Sequence, residues 1–400
     1  MDTPAIEGGQ PQRNQFLPFH LPMIEDDEIK AVTETLKSGW LTKGPKTIEF
    51  EKKIANYIGA KHAIALNSCT AALHLSLFAA GVAPGNEVIV PSYTFASTAN
   101  VVIHQGAKPV LADINLDDFC INPEAIQDLI TPKTKAIIPV HFAGHPCNMN
   151  LISKIADKYN LAVIEDAAHA LGTKYDGRMI GSIEGSTTTC FSFYVTKNIT
   201  TGEGGIVATD LDDLASTLRT SSMHGMNSDA WNRYSDRGSW YYEIVNAGYK
   251  YNMNDLQASI GNTQIDKIER FQKDRENIAK VYTEEFEKYS DVIVPTREKK
   301  GMRSAWHLFP ILLLYEKLDI NRNKFIDALK AEKIGSSVHF IPIHIHPYYK
   351  DKLGYKKEDF PNAQFAFEHE ISLPIYPKMV QDDVIDVASA IKKLVRYFKK

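Results

Sequence analysis

The stretch HAIALNSCTAALHLSLFAAG, residues 62–81, contains both kinds of element from which we predict the fold. Its first five residues, HAIAL, are an apolar run typical of a strand that is buried on both faces. CTAALHLSLFAAG has a helical pattern, and its small residues allow close packing. The stretch therefore predicts a strand that passes through a short turn of small residues into a helix.

The same alternation continues up to residue 166. Apolar runs recur at EVIVP (87–91), KPVLAD (108–113), TKAIIPVH (134–141) and LAVIED (161–166), with helical patterns between them. Runs that are apolar throughout are typical of a mainly parallel sheet that helices cover on both sides, which is an α/β fold. Ligands of such folds bind beyond the carboxyl ends of the strands, so we expect the informative residues just after each strand.

Beyond residue 250 the pattern changes to that of a smaller α+β domain. Residues 253–289 form one long, charged helical pattern, and both AWHLFPILLLY (305–315) and SSVHFIPIHI (336–345) are strand-like. The predicted organisation is a flexible N-terminal arm at 1–15, a large domain at 16–250, and a connecting helix with a small C-terminal domain at 251–400.

Composition and charge disfavour several classes of protein. The chain has 45 Lys and Arg against 49 Asp and Glu, a net charge of −4 spread along the sequence, so we expect neither a nucleic acid nor a membrane surface as a partner. No apolar run approaches the ~18 residues of a membrane span, and the first residues lack the apolar segment of a signal peptide. The four cysteines form no CxxC pair, which fits the reducing cytoplasm.

A cluster of histidines raises the question of a metal site. His339, His344 and His346 lie close together in SSVHFIPIHIHPYY. No carboxylate or cysteine nearby completes a set of ligands, so we predict no metal.

The ends of two strands carry groups that suit a ligand. After HAIAL, the turn at 67–70 opens a helix whose free N–H groups could hold a phosphate, or it could be an ordinary tight turn. After LAVI, Asp166 could orient a ring nitrogen of a ligand, with His169 one helical turn further on, or it could cap the next helix. The residues of each site alone leave both alternatives open.

Lys197 lies in FSFYVTKNITTGEGGIVATD, residues 191–210, before a loop of Thr, Gly and Glu. A lysine in a partly desolvated pocket has a lowered pKa, which makes its amine nucleophilic, whereas an ordinary lysine at a strand end reaches the surface. Together with the turn at 67–70 and Asp166, Lys197 completes the parts that hold pyridoxal 5'-phosphate (PLP). These parts are a phosphate cradle, a carboxylate for the pyridine nitrogen and an amine for the aldehyde.

The chain resembles the DegT/DnrJ-type nucleotide-sugar aminotransferases in a series of motifs that occur in the same order. The motifs are SGWLTKGP (38–45), PGNEVIVPSYTFASTAN (84–100), AIIPVHFAGHPCNM (136–149), VIEDAAHALGT (163–173), the run at 191–210 and GYKYNMNDLQASIG (248–261). The resemblance covers about residues 16–395 and is nearest to the arabinose-type branch of the family. It implies a PLP-dependent transferase of fold type I, with residues 16–250 as the PLP-binding domain, and a homodimer with shared active sites.

The resemblance also implies roles for single residues. Lys197 would form the covalent link to PLP and move protons, Asp166 would pair with the pyridine nitrogen, and His169 would lie near the phenolic oxygen of the ring. Further cofactor contacts are implied at Ser68, Cys69, Thr70 and Ser192 around the phosphate, at Phe95 on the ring face, and at Lys250, which would reach the phosphate in the neighbouring subunit. Substrate contacts are implied at Trp40, Thr42, His307, which could instead pack in the core, and His339.

The implied reaction moves an amino group from L-glutamate to C-4 of a UDP- or dTDP-linked keto sugar. The run at 191–210 is similar to that of the C-4 enzymes, and family members that act as dehydratases have histidine where Lys197 stands. Transfer to C-3, dehydration and a non-catalytic regulatory role are the alternatives, and the intact Lys197, Asp166 and Ser192 disfavour the last. Arg233 and Arg237, in a polar loop, could meet a pyrophosphate or be solvated.

Overall fold

A central sheet organises the large domain of this computed structural model, which describes residues 3–226 and 241–400. Its strands are β1 (His62–Leu66), β2 (Glu87–Pro91), β3 (Lys108–Ala112), β4 (Thr134–Ile137), β5 (Ala162–Asp166), β8 (Thr188–Ser192) and β9 (Gly205–Thr209); the pair β6 (Lys174–Tyr175) and β7 (Arg178–Met179) forms a separate hairpin. Within the described residues these seven strands lie in the order β1-β9-β8-β5-β4-β2-β3.

The pairing of the strands brings three chain segments to one edge of the sheet. β3, β2, β4, β5 and β8 pair in parallel, while β9 is antiparallel to both β8 and β1. β1 therefore runs in the same direction as β5 and β8. The carboxyl ends of β1, β5 and β8 consequently meet at the same edge, as the apolar strand pattern predicted.

Helices cover the central sheet. They are α1 (Asp26–Ser38), α2 (Pro45–Ile58), α3 (Cys69–Ala79), α4 (Ala96–His104), α5 (Pro123–Asp128), α6 (Met149–Tyr159), α7 (Asp212–Ser221) and α8 (Asp255–Asp266). All five residues of β9 and the last four of β1 are buried, as expected for strands covered on both faces. The predicted α/β class with a mainly parallel, helix-flanked sheet is confirmed.

A second hydrophobic core belongs to the smaller C-terminal unit. Its elements are α9 (Ile268–Phe286), β10 (Ile293–Pro295), β11 (Phe309–Leu313), α10 (Arg322–Ala331), β12 (Glu370–Leu373) and α13 (Gln381–Phe398). Two helices of the same part of the chain, α11 (Pro347–Leu353) and α12 (Pro361–His369), instead place their buried side chains in the first core. β11 pairs antiparallel with β10 and β12. The side chains of Phe286, Phe309 and Leu394 lie in the second core, so the predicted α+β character is confirmed.

Two predictions about elements after residue 250 were wrong. The single long helix is divided in the structure, because α8 ends at Asp266 and α9 begins at Ile268. SSVHFIPIHI is not a regular strand: it makes one bridge, between Ser337 and Ser372, and then a short 3-10 helix at Ile343–Ile345. Pro342 has no N–H to donate to a ladder, which explains why strand pairing does not continue.

The N-terminal segment is bound to the small unit, in contrast to the predicted flexible arm. The backbone N–H groups of Ala5 and Gln12 donate to the buried Glu332 carboxylate at 2.8 and 2.7 Å. Arg13 forms ion pairs with Asp383 at 2.8 Å and Asp386 at 2.6 Å. These partners are more than 300 residues away in the sequence, so local composition gave no sign of them.

The predicted boundary at residues 250 and 251 remains a prediction. α8 lies on its C-terminal side but packs against α1 and α2 of the large domain. Arg233 and Arg237 lie outside the described residues. Among the helices that are described, none is both long and apolar enough to span a membrane.

Candidate active site

A cavity of about 610 Å³ opens at the edge where the carboxyl ends of β1, β5 and β8 meet. Residues of the small unit, including His307 and His339, line its other side. Ten of the residues singled out in the sequence line this one cavity: Ser68, Cys69, Thr70, Phe95, Asp166, His169, Ser192, Lys197, His307 and His339.

Asp166 is the last residue of β5, and its carboxylate is buried in the cavity wall. The Thr98 hydroxyl donates to Oδ2 at 2.9 Å, and the Ala168 N–H donates to Oδ1 at 3.2 Å. Burial raises the pKa of Asp166, while these two hydrogen bonds and the nearby Lys197 oppose that rise. A cationic ring nitrogen at this carboxylate would compensate for its burial.

The Lys197 ammonium enters the cavity from the loop that follows β8. Burial lowers its pKa to about 8, and the coulombic effect of Asp166 opposes the shift. Its Nζ lies 3.5 Å from His307 Nε2. An amine with such a pKa is partly neutral near pH 7 to 8, which is the form that attacks an aldehyde.

The turn after β1 forms an anion cradle. Ser68 is the N-cap of α3, and its Oγ accepts the Ala71 N–H at 3.1 Å. The N–H groups of Cys69 and Thr70 occupy the first two helical positions, where the helix itself offers no acceptor. They are therefore available to a phosphate, and the helix dipole favours its negative charge.

Gly205 allows a neighbouring strand to approach this cradle closely. A Cβ at this position would lie 2.3 Å from the carbonyl carbon of Ser68 and 2.5 Å from the backbone nitrogen of Cys69. Only a residue without a side chain fits there. Gly205 and the Thr98 hydroxyl are site residues that the sequence analysis missed, although the motifs TTGEGG and FASTAN contain them.

His169 presents one defined ring nitrogen to the cavity. Its Nδ1 accepts the Ala143 N–H at 3.3 Å, so the ring proton resides on Nε2. Burial lowers the pKa of His169 well below the usual value, and Lys197 lowers it further. The neutral ring can thus donate a hydrogen bond to an anionic oxygen such as the phenolate of PLP.

Three further imidazoles surround Lys197, and all are kept neutral. Burial lowers the pKa of His339 to about 3 and that of His20 to about 4, and it brings the pKa of His307 well below the usual value. The rings of His169 and His307 lie with their centroids 4.3 Å apart. His20 was not predicted, since nothing in its local sequence distinguishes it.

The structure does not bring Trp40, Thr42 and Lys250 into the cavity wall of this chain. Trp40 is 49% exposed, and its indole N–H donates to the Lys43 carbonyl at 3.1 Å. The Lys250 amine donates to Asn252 Oδ1 at 2.5 Å. Phe95 does line the cavity but is 61% exposed at its mouth. The roles implied for these residues remain predictions.

The arrangement fits PLP on observations from separate elements. A helix N-terminus is open to a phosphate, a buried carboxylate can meet a pyridinium, and a lysine with a lowered pKa lies in the same cavity. No group of three or more His, Cys, Asp or Glu side chains that could hold a metal ion occurs in the part of the chain that the structure describes.

Comparison with known proteins identifies a family and several relatives that match most of the chain. A model of the DegT/DnrJ/EryC1/StrS aminotransferase family matches residues 22–392. The spore coat polysaccharide biosynthesis protein SpsC of Bacillus subtilis is 52% identical over 386 residues, which are 96% of this chain and 98% of SpsC.

Two solved structures are similar to this chain in three dimensions. Spr1654 of Streptococcus pneumoniae is described as a sugar aminotransferase and was solved in forms with PLP and with pyridoxamine phosphate (PMP). The PMP form is 35% identical to this chain with a TM-score of 0.89, and the match covers 95% of this chain and 99% of Spr1654. PseC of Helicobacter pylori, an aminotransferase involved in the biosynthesis of pseudoaminic acid, is 29% identical with a TM-score of 0.88, covering 96% of this chain and all of its own.

Proposed function

This chain belongs to the DegT/DnrJ/EryC1/StrS aminotransferase family, and from this premise we propose the reaction that it catalyses. It is a PLP-dependent sugar aminotransferase. The proposal is that it moves an amino group from L-glutamate to C-4 of a UDP- or dTDP-linked 4-keto sugar. The products are a 4-amino sugar and 2-oxoglutarate. The observation that carries the proposal is the meeting of Lys197, Asp166 and the open end of α3 in one cavity.

The side chains divide the chemical work between them. Bound PLP supplies an aldehyde that links to amino groups and a ring that withdraws electrons. Lys197 Nζ would bind the aldehyde, and its amine would carry a proton to and from the reacting carbon. Asp166 would keep the pyridine nitrogen protonated, and the N–H of His169 Nε2 would donate to the phenolic oxygen. Ser68, Ser192 and the N–H groups at the start of α3 would hold the phosphate.

The sugar class is supported by the relatives and by the residues around Lys197. SpsC is described as a protein of spore coat polysaccharide biosynthesis, and PseC as an enzyme of pseudoaminic acid biosynthesis. Lysine at position 197 favours amino transfer over dehydration. The similarity of the run at 191–210 to the C-4 enzymes favours C-4 over C-3.

We also propose a cytoplasmic homodimer with shared active sites. Phe95, Trp40 and Lys250 are exposed on the single chain, which suits residues that meet a second copy. All four cysteines are free thiols, which suits a reducing compartment.

The reaction can be tested with isotope-labelled glutamate and a panel of UDP- and dTDP-linked 4-keto and 3-keto sugars. We expect ¹⁵N from glutamate to appear on C-4 of one 4-keto sugar in the NMR spectrum of the product. Lys197→Ala should abolish turnover, while Lys158→Ala, which removes an exposed lysine of α6, should leave it unchanged. Label on C-3, or a dehydrated product, would contradict the proposed regiochemistry.

A further inference from the structure

Three side chains connect the cavity wall to the interior of the small unit. His339 lines the cavity, and its Nδ1 lies 2.9 Å from Ser372 Oγ. Ser372 Oγ lies 2.5 Å from Glu370 Oε1, and both residues belong to β12 and are buried. His339, Ser372 and Glu370 thus form a continuous hydrogen-bonded chain, which we call the β12 relay.

The backbone holds the β12 relay in place. The Ser337 N–H donates to the Ser372 carbonyl at 3.1 Å, and the Ser372 N–H donates to the Ser337 carbonyl at 2.8 Å. The His339 N–H donates to Glu370 Oε2 at 2.9 Å. Phe19 stacks on the His339 ring, with centroids 5.4 Å apart and an interplanar angle of 26°. These contacts fix the ring with Nδ1 toward Ser372.

The other nitrogen of His339 is left for a ligand. Within residues 3–226 and 241–400, Nε2 of His339 has no hydrogen-bond partner, and it is not among the enclosed unsatisfied atoms. Because the ring lines the cavity, Nε2 can meet a substrate group there. Whether Nε2 donates or accepts depends on which nitrogen carries the ring proton.

The single hydroxyl proton of Ser372 links this choice to Glu370. If Glu370 is ionised, Ser372 donates to it, His339 Nδ1–H donates to Ser372, and Nε2 is an acceptor. If Glu370 is protonated, it donates to Ser372, Ser372 donates to Nδ1, and Nε2 carries the proton. One proton on the carboxyl group therefore reverses every bond of the relay.

We propose that Glu370 and Ser372 are positioning residues that set the tautomer of His339, so that its Nε2–H donates to an oxygen of the sugar nucleotide while Glu370 is protonated. This inference rests on the proposed function for the identity of the ligand. The positions of the protons on His339, Ser372 and Glu370 do not depend on that function.

The charges around the relay favour the donating form near neutral pH. Burial raises the pKa of Glu370 to about 8, against the opposing effects of the Ser372 and His339 N–H hydrogen bonds and of Arg322. Arg322 faces Glu370 from α10 and donates to its carbonyl at 3.1 Å, and the buried phenol of Tyr93 faces it from the large domain.

His339 itself stays neutral across this range. Burial and the nearby Lys197 lower its pKa to about 3, and the other ring that it influences electrostatically, His169, is also neutral. The change near pH 8 is therefore a change of tautomer and not of charge on the ring.

The inference can be tested by NMR on the full-length protein labelled with ¹⁵N-histidine, with His339 identified by the signal missing from His339→Gln. In the unmodified protein we expect the proton to move from Nε2 to Nδ1 as the pH rises through about 8. Glu370→Gln, whose amide donates to Ser372 permanently, should keep Nε2–H at all pH values. Ser372→Ala should remove the pH dependence by breaking the relay.

The control is Glu316→Gln, which alters a direct carboxyl–imidazole contact outside the cavity wall, between Glu316 and His369 at 2.8 Å. It should leave the His339 titration unchanged. Above pH 8 the rate of the sugar half-reaction in the unmodified protein should fall about five- to tenfold relative to the rate in Glu370→Gln at the same pH, since the titration of Lys197 is common to both proteins. The inference would be overturned if the proton position on His339 did not change with pH in the unmodified protein, or if it changed with pH in Glu370→Gln as it does in the unmodified protein. The NMR measurement needs no substrate, so its failure is distinguishable from failure of the proposed reaction.

Discussion

At the scale of single residues, the site depends on polar groups that burial has displaced from their ordinary pKa values. The pKa of Asp166 is raised and that of Lys197 is lowered for the same reason, since burial disfavours the charged form of each. Thr98 opposes the shift at Asp166 through the hydrogen bond to Oδ2. The hydroxyl of Thr98 therefore favours the ionised form of Asp166, which the proposed pairing with a pyridine nitrogen requires.

Thr98→Val is predicted to slow the glutamate half-reaction. Loss of the hydrogen bond raises the pKa of Asp166, so the carboxyl group competes for the proton of the pyridine nitrogen and the ring is protonated less of the time. We expect a rate about tenfold lower, as for the loss of one hydrogen bond to a charged group. Stopped-flow absorbance of the bound cofactor would measure it. Thr98→Ser keeps the hydroxyl and should stay near the original rate; equal losses in both variants would show that the methyl group matters instead.

At the scale of elements, the close approach of β9 to the start of α3 shapes the cradle. Gly205→Ala places a Cβ 2.3 Å from the Ser68 carbonyl carbon, so the turn must move. We expect PLP to bind at least about tenfold more weakly, with a loss of about 1–3 kcal/mol in the free energy of unfolding. Equilibrium dialysis and thermal melting would measure the two effects.

The control for that change is Gly177→Ala in the β6–β7 hairpin. Gly177 has a φ of +81° but open space around its Cβ position. Alanine there should cost about 1 kcal/mol of stability through the backbone alone. PLP affinity should not change. If Gly205→Ala bound PLP as tightly as Gly177→Ala does, the role assigned to the close approach would be wrong.

Burial of Glu370 in β12 predicts a specific dependence of stability on pH. Its pKa is about 8 in the folded chain, against an ordinary value of 4.5 for a solvated glutamate. The contribution of the neutral carboxyl to the free energy of unfolding is fully present below pH 4.5 and is lost as the pH rises through about 8. The melting temperature of Glu370→Gln should therefore rise relative to the unmodified protein across this window. A difference independent of pH would contradict the assignment.

The elements differ in how far the sequence predicted them. HAIAL and LAVIED were predictable as strands because burial on both faces leaves an apolar run without gaps. The break between α8 and α9 falls at Lys267, with no Gly or Pro to signal it. The β12 relay joins His339 to Glu370 and Ser372, which follow it by 31 and 33 positions, and no local pattern reveals such a pairing.

The candidate site was predictable where the chemistry needs a particular residue type. We predicted Lys197, Asp166 and the turn at Ser68 from their positions after strands and from a family resemblance. The structure places them around one cavity. Thr98 and His20 were missed because threonine in a helix and histidine in an extended segment are common without function. Trp40 and Lys250 do not line this cavity, so the contacts implied for them remain predictions.

At the scale of the whole molecule, the chain forms two hydrophobic cores, and the N-terminal segment is attached to the unit that contains the second core. Glu332 is the centre of that attachment, since it accepts two backbone N–H groups and pairs with Lys393 at 3.0 Å. The segment continues to Phe19 and His20, which line the cavity. Its attachment therefore contributes to the shape of the site.

Glu332→Ala is predicted to release the N-terminal segment. Loss of the buried acceptor leaves two N–H groups and the Lys393 ammonium without their partner. We expect a loss of about 2–3 kcal/mol in the free energy of unfolding and faster cleavage near residue 12 in limited proteolysis. Glu358→Ala, at an exposed position, is the control. A Glu332→Ala variant that resists the protease as the control does would contradict the anchoring role.

The role of Lys197 is tested most directly by trapping the cofactor on the chain. The purified protein with PLP would be reduced with borohydride, digested and analysed by mass spectrometry, before and after incubation with L-glutamate. We predict that the cofactor mass is found on the peptide containing Lys197, is absent from Lys197→Ala, and is lost from the unmodified protein after glutamate. Label on another lysine, or label on Lys197 that glutamate does not remove, would contradict an aminotransferase site in this cavity.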